Sequence, residues 1–318
     1  MRRVDLLNSA LLLATLALAT WLAILPGRVE TPVAPRTRAV EAPPVESTTV
    51  IDASGFEAPI ERYERIVSLS TVADHVLLEI VEPDRLISIT GYTAKTHVDA
   101  WRFGERPTID SSGQLEAVLA LRPDLVLVNV FADESYLTRL READVRAFDL
   151  GEMRGVETTR ANIRTLGALV DERERAAQLD ASYVRELQAL AANVPAEERV
   201  PGIYVSVFSD TFFGGTTGTS YADVLLHGGV RDLAAERGYV DWPQYAIEDL
   251  VAMNPPLIVT VEGSAESLRS HAMLRELRAC GPDGRIVELD EALFGDAGLG
   301  IVEAAAELQR LVHPDRAE

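Results

Sequence analysis

The chain has 318 residues, 47% hydrophobic and 25% charged, which suffices for two lobes of ordinary size and excludes a disordered or fibrous protein. A formal charge of −20 repels phosphate backbones and argues against nucleic acid as a partner. Cys280 is the only cysteine, so no intrachain disulfide and no thiolate metal cluster can form.

Residues 1–25 join a basic start, Arg2 and Arg3, to the apolar run "LLNSALLLATLALATWLAIL". They read as a signal peptide, with Ala17-Leu18-Ala19 as its small-x-small site, or as an uncleaved membrane anchor. Either way the two arginines place the body outside the cytoplasm, in the periplasm or on the extracytoplasmic face. Residues 26–49 are rich in Pro, Thr, Val and Glu without helical period and read as an extended tether.

An N-terminal lobe is expected over 50–155. "RIVSLS" is a short buried strand, and "TVADHVLLEIVEPDRL" has helical spacing until Pro83 stops it. "LISITGYT" is a second strand, "QLEAVLALRPDLVLVNV" a helix then a strand, "ESYLTRLREADV" a helix and "RAFDL" a strand. Strands alternating with short helices predict a parallel sheet covered by helices. Over 156–194 an apolar stripe including Ile163, Leu166, Leu187 and Leu190 predicts a long helix bridging two lobes, with Gly167 or Asp171 as points of interruption. A two-helix hairpin within one lobe is the alternative.

The pattern restarts over 195–318. "GIYVSVFS" is a strand, "FFGGTTGTS" a loop, and "YADVLLHGG" a helix capped by Thr219 or Ser220 and stopped at Gly228. The glycine-rich loop before a helix has the makings of an anion nest. "AIEDLVAMNPPLIVT" again gives helix, proline, strand, and "RIVELD" is a strand between helical segments. The fold class is α/β, two doubly wound parallel-sheet lobes joined by a long interlobe helix.

One phrase occurs twice. Leu115 aligns with Ile247, Glu116 with Glu248, Pro123 with Pro255 and Leu125 with Leu257, a displacement of 247 − 115 = 132 residues. Each proline ends a helix, because it lacks the N–H that the ladder needs. Each glutamate lies in a first turn, where free N–H groups favour a carboxylate by about 0.3–1 kcal/mol. That is reason enough for one; two at matched places suit a partner with two-fold symmetry.

Together, "RIVSLSTVADHVLLEIVEPDRLISITGYT", "QLEAVLALRPDLVLV", the long helix, "SYADVLLHGGV" and "YAIEDLVAMNPPLIVT" resemble the periplasmic substrate-binding proteins of ABC importers for vitamin B12, ferric siderophores and haem. The resemblance implies two lobes in the class III arrangement, with a metal chelate held non-covalently between them and delivered to a dimeric permease. Glu116 and Glu248 match the family's acidic residues that dock on permease arginines. "WPQ" is similar to the vitamin B12 binder, which makes Trp242 the first ligand candidate. The chain departs from the family in lacking a lipoprotein cysteine after the first apolar run. It also has "IDSSGQ" before Glu116, without the tryptophan of the vitamin B12 binder.

Ligands of open α/β sheets sit beyond the carboxyl ends of the strands. That rule selects Ser70, Thr71, Tyr92, Phe131, Phe208, Phe212 and Thr217 beside Trp242 as ligand-binding candidates. His75, His97, His227, His271 and His313 show no paired ligand spacing, so no resident metal or cofactor is expected. No nucleophile elbow or triad order is present, so catalysis is not expected. A monomer that carries solute is the reading; a chelatase-like enzyme and a membrane-tethered sensor are the alternatives.

Overall fold

The computed structural model describes residues 40–316 except 98, 110–113, 130–133, 210 and 295–296, and the side chains of 292 and 294. The apolar segment 1–25 and the tether as far as residue 39 therefore lie outside the described residues. The fold begins earlier than the expected tether end. Val40 is buried in the core, and β1 (Thr49–Ile51) pairs antiparallel with β2 (Glu57–Pro59).

The first lobe is built on β3 (Ile66–Ser68), β4 (Leu86–Ser88), β5 (Leu125–Val128) and β6 (Arg146–Asp149), all parallel and ordered β4-β3-β5-β6. Every residue of β3 and β5 is buried, as strands covered on both faces must be. Around them lie α1 (Thr71–Ile80), α2 (Gly91–Thr96), α3 (Leu115–Ala120) and α4 (Glu134–Glu142). The expected second strand stops at Ser88. Thr90 caps a new helix by accepting from the Thr93 N–H, so Tyr92 is helical.

The segment 156–194 divides into α5 (Val156–Leu169) and α6 (Arg173–Asn193), which pack against each other. The single helix expected over this range is thus corrected to two, and both flagged residues explain why. Asp171 takes φ 61°, which right-handed helix cannot continue through. Gly167 lets the helices cross closely, since a Cβ there would lie 2.1 Å from that of Ala176. The interlobe helix is α6 alone. The chain entering it is pinned to the first lobe by Arg85, which is 2% exposed and donates to the N-cap residue Glu172 at 2.6 Å and to the carbonyls of Val170 and Tyr63 at 2.7 Å. Its later turns meet the second lobe: the Leu187 carbonyl lies 3.1 Å from His227 Nδ1, and Asn193 donates to Gln309 at 2.6 Å.

The second lobe repeats the first. β7 (Val200–Tyr204), β10 (Val230–Asp232), β12 (Leu257–Val261) and β13 (Arg285–Leu289) are parallel and ordered β10-β7-β12-β13. In both lobes, therefore, the first strand lies beside the second on one side and the third on the other. Its longer helices are α7 (Ser220–His227), α8 (Ile247–Met253), α9 (Ala265–Ser270) and α10 (Ile301–Val312), beside one-turn helices at Leu233–Glu236 and Glu291–Phe294. Thr219 and Gly228 cap α7 as expected. A three-stranded antiparallel sheet, β8 (Ser206–Phe208), β9 (Thr211–Phe213) and β11 (Gln244–Tyr245), is an addition that the alternation of strands and helices did not indicate. Among the described residues no helix is long and apolar enough to cross a membrane.

Candidate functional site

In each sheet the first and third strands are neighbours whose following chains leave in opposite directions, which opens a crevice beyond their carboxyl ends. The helix that feeds each third strand runs antiparallel to it, so its first turn reaches the crevice edge. Glu116 in α3 and Glu248 in α8 occupy those first turns, and both are exposed. In α8 the Asp249 carboxylate accepts from the Ala246 N–H at 3.1 Å and does the capping, which leaves Glu248 out of that role. The duplication extends to the backbone: Arg122 and Asn254, each preceding its proline, have φ of 48° and 41°.

Arg154 is the residue that the sequence reading missed. It follows β6, just before α5, and its guanidinium lies 5.2 Å from the Trp242 ring centre. It donates to Asp241, to Glu152 at 2.9 Å and to the Gly218 carbonyl at 3.5 Å. Hydrogen bonding to Glu152, and then to Asp241, holds the guanidinium pKa above its usual value. One cation thus ties the crossover between the lobes to the Trp242 loop and covers one side of the indole, which is 43% exposed. A lone arginine in "EMRG" carries no periodic or motif signal, and only the fold brings it to Trp242.

The other candidates divide by burial. Tyr92 and Phe208 are 45% and 72% exposed, Thr217 is exposed and Thr71 half-buried. Ser70 is buried, and its hydroxyl accepts from the Ala73 N–H at 3.4 Å as the cap of α1. Phe212 corrects the expectation for the "FFGGTTGTS" segment. It lies in β9 rather than in a loop, and strand alternation turns it into the second lobe's core against His271. Phe131 lies outside the described residues.

The glycines of that segment serve close packing. A Cβ on Gly214 would lie 2.4 Å from the Tyr245 hydroxyl, and one on Gly215 would lie 2.3 Å from the Tyr221 ring. The helix start is also capped from within, since Thr219 Oγ1 accepts from Ala222 N, while Asp223 on α7 accepts from Val156 N at 2.7 Å, at the start of α5. At the expected anion nest the Ala222 N–H is therefore already taken by the Thr219 hydroxyl.

Two matched aspartates sit in the fourth helical position of α1 and α7. Asp74 is fully buried and accepts from the Thr90 N–H at 3.0 Å and its hydroxyl at 2.6 Å. Burial pushes its carboxyl up to about 6, against hydrogen bonds from Ser68, Thr90 and Thr93 that lower it. Burial raises Asp223 also. The imidazoles of His75 and His97 pack with centroids 4.6 Å apart, and among the described residues no cluster of three or more His, Cys, Asp or Glu is placed to hold a metal ion.

Residues 66–293 match the family model described as a periplasmic binding protein. An uncharacterised ABC transporter substrate-binding lipoprotein of Bacillus subtilis is 23% identical over 288 residues, 88% of this chain and 90% of that one. A cobalamin-binding protein of Halobacterium salinarum is 23% identical over 262 residues, 79% of this chain and 69% of that one. A periplasmic haem-binding protein from Pseudomonas aeruginosa superposes with a TM-score of 0.65 at 22% identity, covering 79% of this chain and 93% of its own, and so shares the fold.

Proposed function

We infer that this protein, which belongs to the periplasmic binding protein family, is the extracytoplasmic receptor of an ABC importer. It captures a metal chelate between its lobes and presents it to a dimeric permease. The relatives' names carry the substrate class to this chain: cobalamin for one and haem for a structural neighbour. The observation that supports docking is the duplication itself. Two sheets share one strand order, and each carries an exposed glutamate, Glu116 or Glu248, in the first turn of the helix before its third strand. A two-fold partner meets such a pair with identical surfaces.

Binding without turnover is the activity proposed, with no resident cofactor; the metal arrives inside its chelator as cargo. The protein acts as a monomer, held near its importer by residues 1–25 where these remain uncleaved, which raises its local concentration there. The interlobe helix α6, pinned at both ends, limits closure more than loop hinges would. Trp242, with one side under Arg154, offers a stacking surface to a flat ligand. Trp242→Ala is expected to weaken chelate binding more than tenfold, about 1.4 kcal/mol, in a titration followed by ligand absorbance. An unchanged titration removes the indole from the site.

A further inference from the structure

The charges around the crevice bear on which chelate enters it. Among the described residues, the connection after β4 carries Lys95 near the end of α2, with Arg102 and Arg106 spent on the Leu78 and Pro83 carbonyls and on Asp84, and Arg154 follows β6. Lys95 is the only lysine in the chain, and the segments 110–113, 130–133, 210 and 295–296 contain no lysine or arginine. Arg154 is committed: Glu152 and Asp241 both accept from it, so the group around Trp242 carries a net negative charge. Exposed Glu262 follows β12, and exposed Asp290 and Glu291 follow β13. At the glycine-rich loop the Ala222 N–H is already held by the Thr219 hydroxyl, and Asp223 on α7 adds a carboxylate that accepts from the Val156 N–H of α5.

The candidate chelates differ in charge. Haem has two propionates and a ferric tricatecholate is a trianion, so each needs uncommitted cations to replace its hydration. A corrinoid has an amide periphery, and a ferric trihydroxamate is neutral or cationic. Building on the reading of the protein as a chelate receptor, we propose that its cleft selects neutral or cationic chelates with amide or hydroxamate edges, and that Glu152 and Asp241 set this selectivity by engaging Arg154. The acids act against the competitor as much as the indole acts for the ligand. This separates the protein in specificity from the haem carrier whose fold it shares.

The test is a titration of the full-length chain with four probes: cyanocobalamin, a ferric trihydroxamate, haemin and a ferric tricatecholate. At least one neutral or cationic probe is expected to bind tenfold or more tighter than both anionic ones. In Glu152→Gln with Asp241→Asn, where Arg154 is released, affinity for an anionic probe should rise at least tenfold. Glu262→Gln, an exposed change that leaves the packing intact, should raise it two- to threefold. Wild-type protein that prefers haemin or the tricatecholate overturns the selectivity and leaves the receptor reading standing. So does a folded double variant with no gain for either anion. Failure to bind any of the four brings down the receptor reading and the selectivity with it.

Discussion

The two lobes share one order of strands, and the lengths between matched elements show where they part. From β3 to β7 the displacement is 200 − 66 = 134 residues, from α1 to α7 it is 220 − 71 = 149, and from α3 to α8 it is 247 − 115 = 132. The second lobe has therefore gained chain after its first strand, where the β8–β9 hairpin stands. The first lobe is longer between its second strand and α3, in the region of residues 97–114. Between these additions the helix, left-handed residue, proline and strand of each lobe coincide residue for residue. On the proposed function, what the lobes share is what a two-fold permease would meet alike on both sides. What distinguishes them is the ligand candidates: Tyr92 on α2 of the first lobe, and Phe208 and Trp242 on the added sheet and its loop in the second.

The largest effect is expected where the lobes agree. Glu116→Ala together with Glu248→Ala should reduce permease-dependent uptake about a hundredfold, since losing one partner of a buried interfacial charge pair costs about 2–5 kcal/mol. Ligand affinity should change less than twofold, and each single change should give a similar intermediate defect. Uptake assays beside equilibrium titrations decide this. If affinity collapses in the double variant, the acids line the pocket; if one single change accounts for the whole loss, the lobes are not equivalent at the permease.

A smaller effect separates the two matched aspartates. A carboxyl pushed up to about 6 holds its proton more tightly folded than unfolded, so ionising it opposes folding above that pH. The penalty is relieved as pH falls from about 6 toward 4, and for Asp74 it amounts to at most about 3 kcal/mol. Asp74→Asn should therefore make the protein relatively more stable at pH 7 than at pH 4, compared with wild type, when urea midpoints are taken at both. Asp223→Asn should act in the same direction more weakly, because Asp223 is half-buried. A wild-type protein and Asp74→Asn variant with parallel pH profiles would show that Asp74 stays ionised at no cost.

Much of this was legible because it is local and repeated. Strand and helix order followed from period and proline stops, the cap at Thr219 from side-chain chemistry, and the acidic pair from the repeat. The break at Asp171 was visible only as a position, because an aspartate inside an otherwise amphipathic run gives no turn signal until its φ is seen. The β8–β9–β11 sheet was missed for a different reason. Its strands have three, three and two residues, too short for alternation to register, and β11 joins from a distant part of the lobe. Phe212, read as a loop residue, lies in that sheet and packs in the core. Arg154 was illegible in principle, since its partners Gly218, Asp241 and Trp242 lie more than sixty residues away and are joined to it by tertiary contact alone.

The smallest effect examines the duplication at a single backbone position. A proline bars the right-handed helical region to the residue before it, and in both lobes the chain goes left-handed there instead, with φ of 48° at Arg122 and 41° at Asn254. That conformation costs an ordinary L-residue about 1–2 kcal/mol, whereas asparagine tolerates it and glycine adopts it freely. Arg122 has an exposed side chain, so Arg122→Gly should stabilise the protein by about 0.5–1 kcal/mol after the added freedom of the unfolded chain is subtracted. Asn254 is already suited to the conformation, and its Oδ1 accepts from the Arg278 N–H at 2.8 Å. Asn254→Gly forfeits that bond and should destabilise by about 0.5–1 kcal/mol. Opposite signs in paired denaturation curves would mean that the two lobes solved one backbone problem with different side chains; equal signs would mean that the left-handed turn is not where the strain lies.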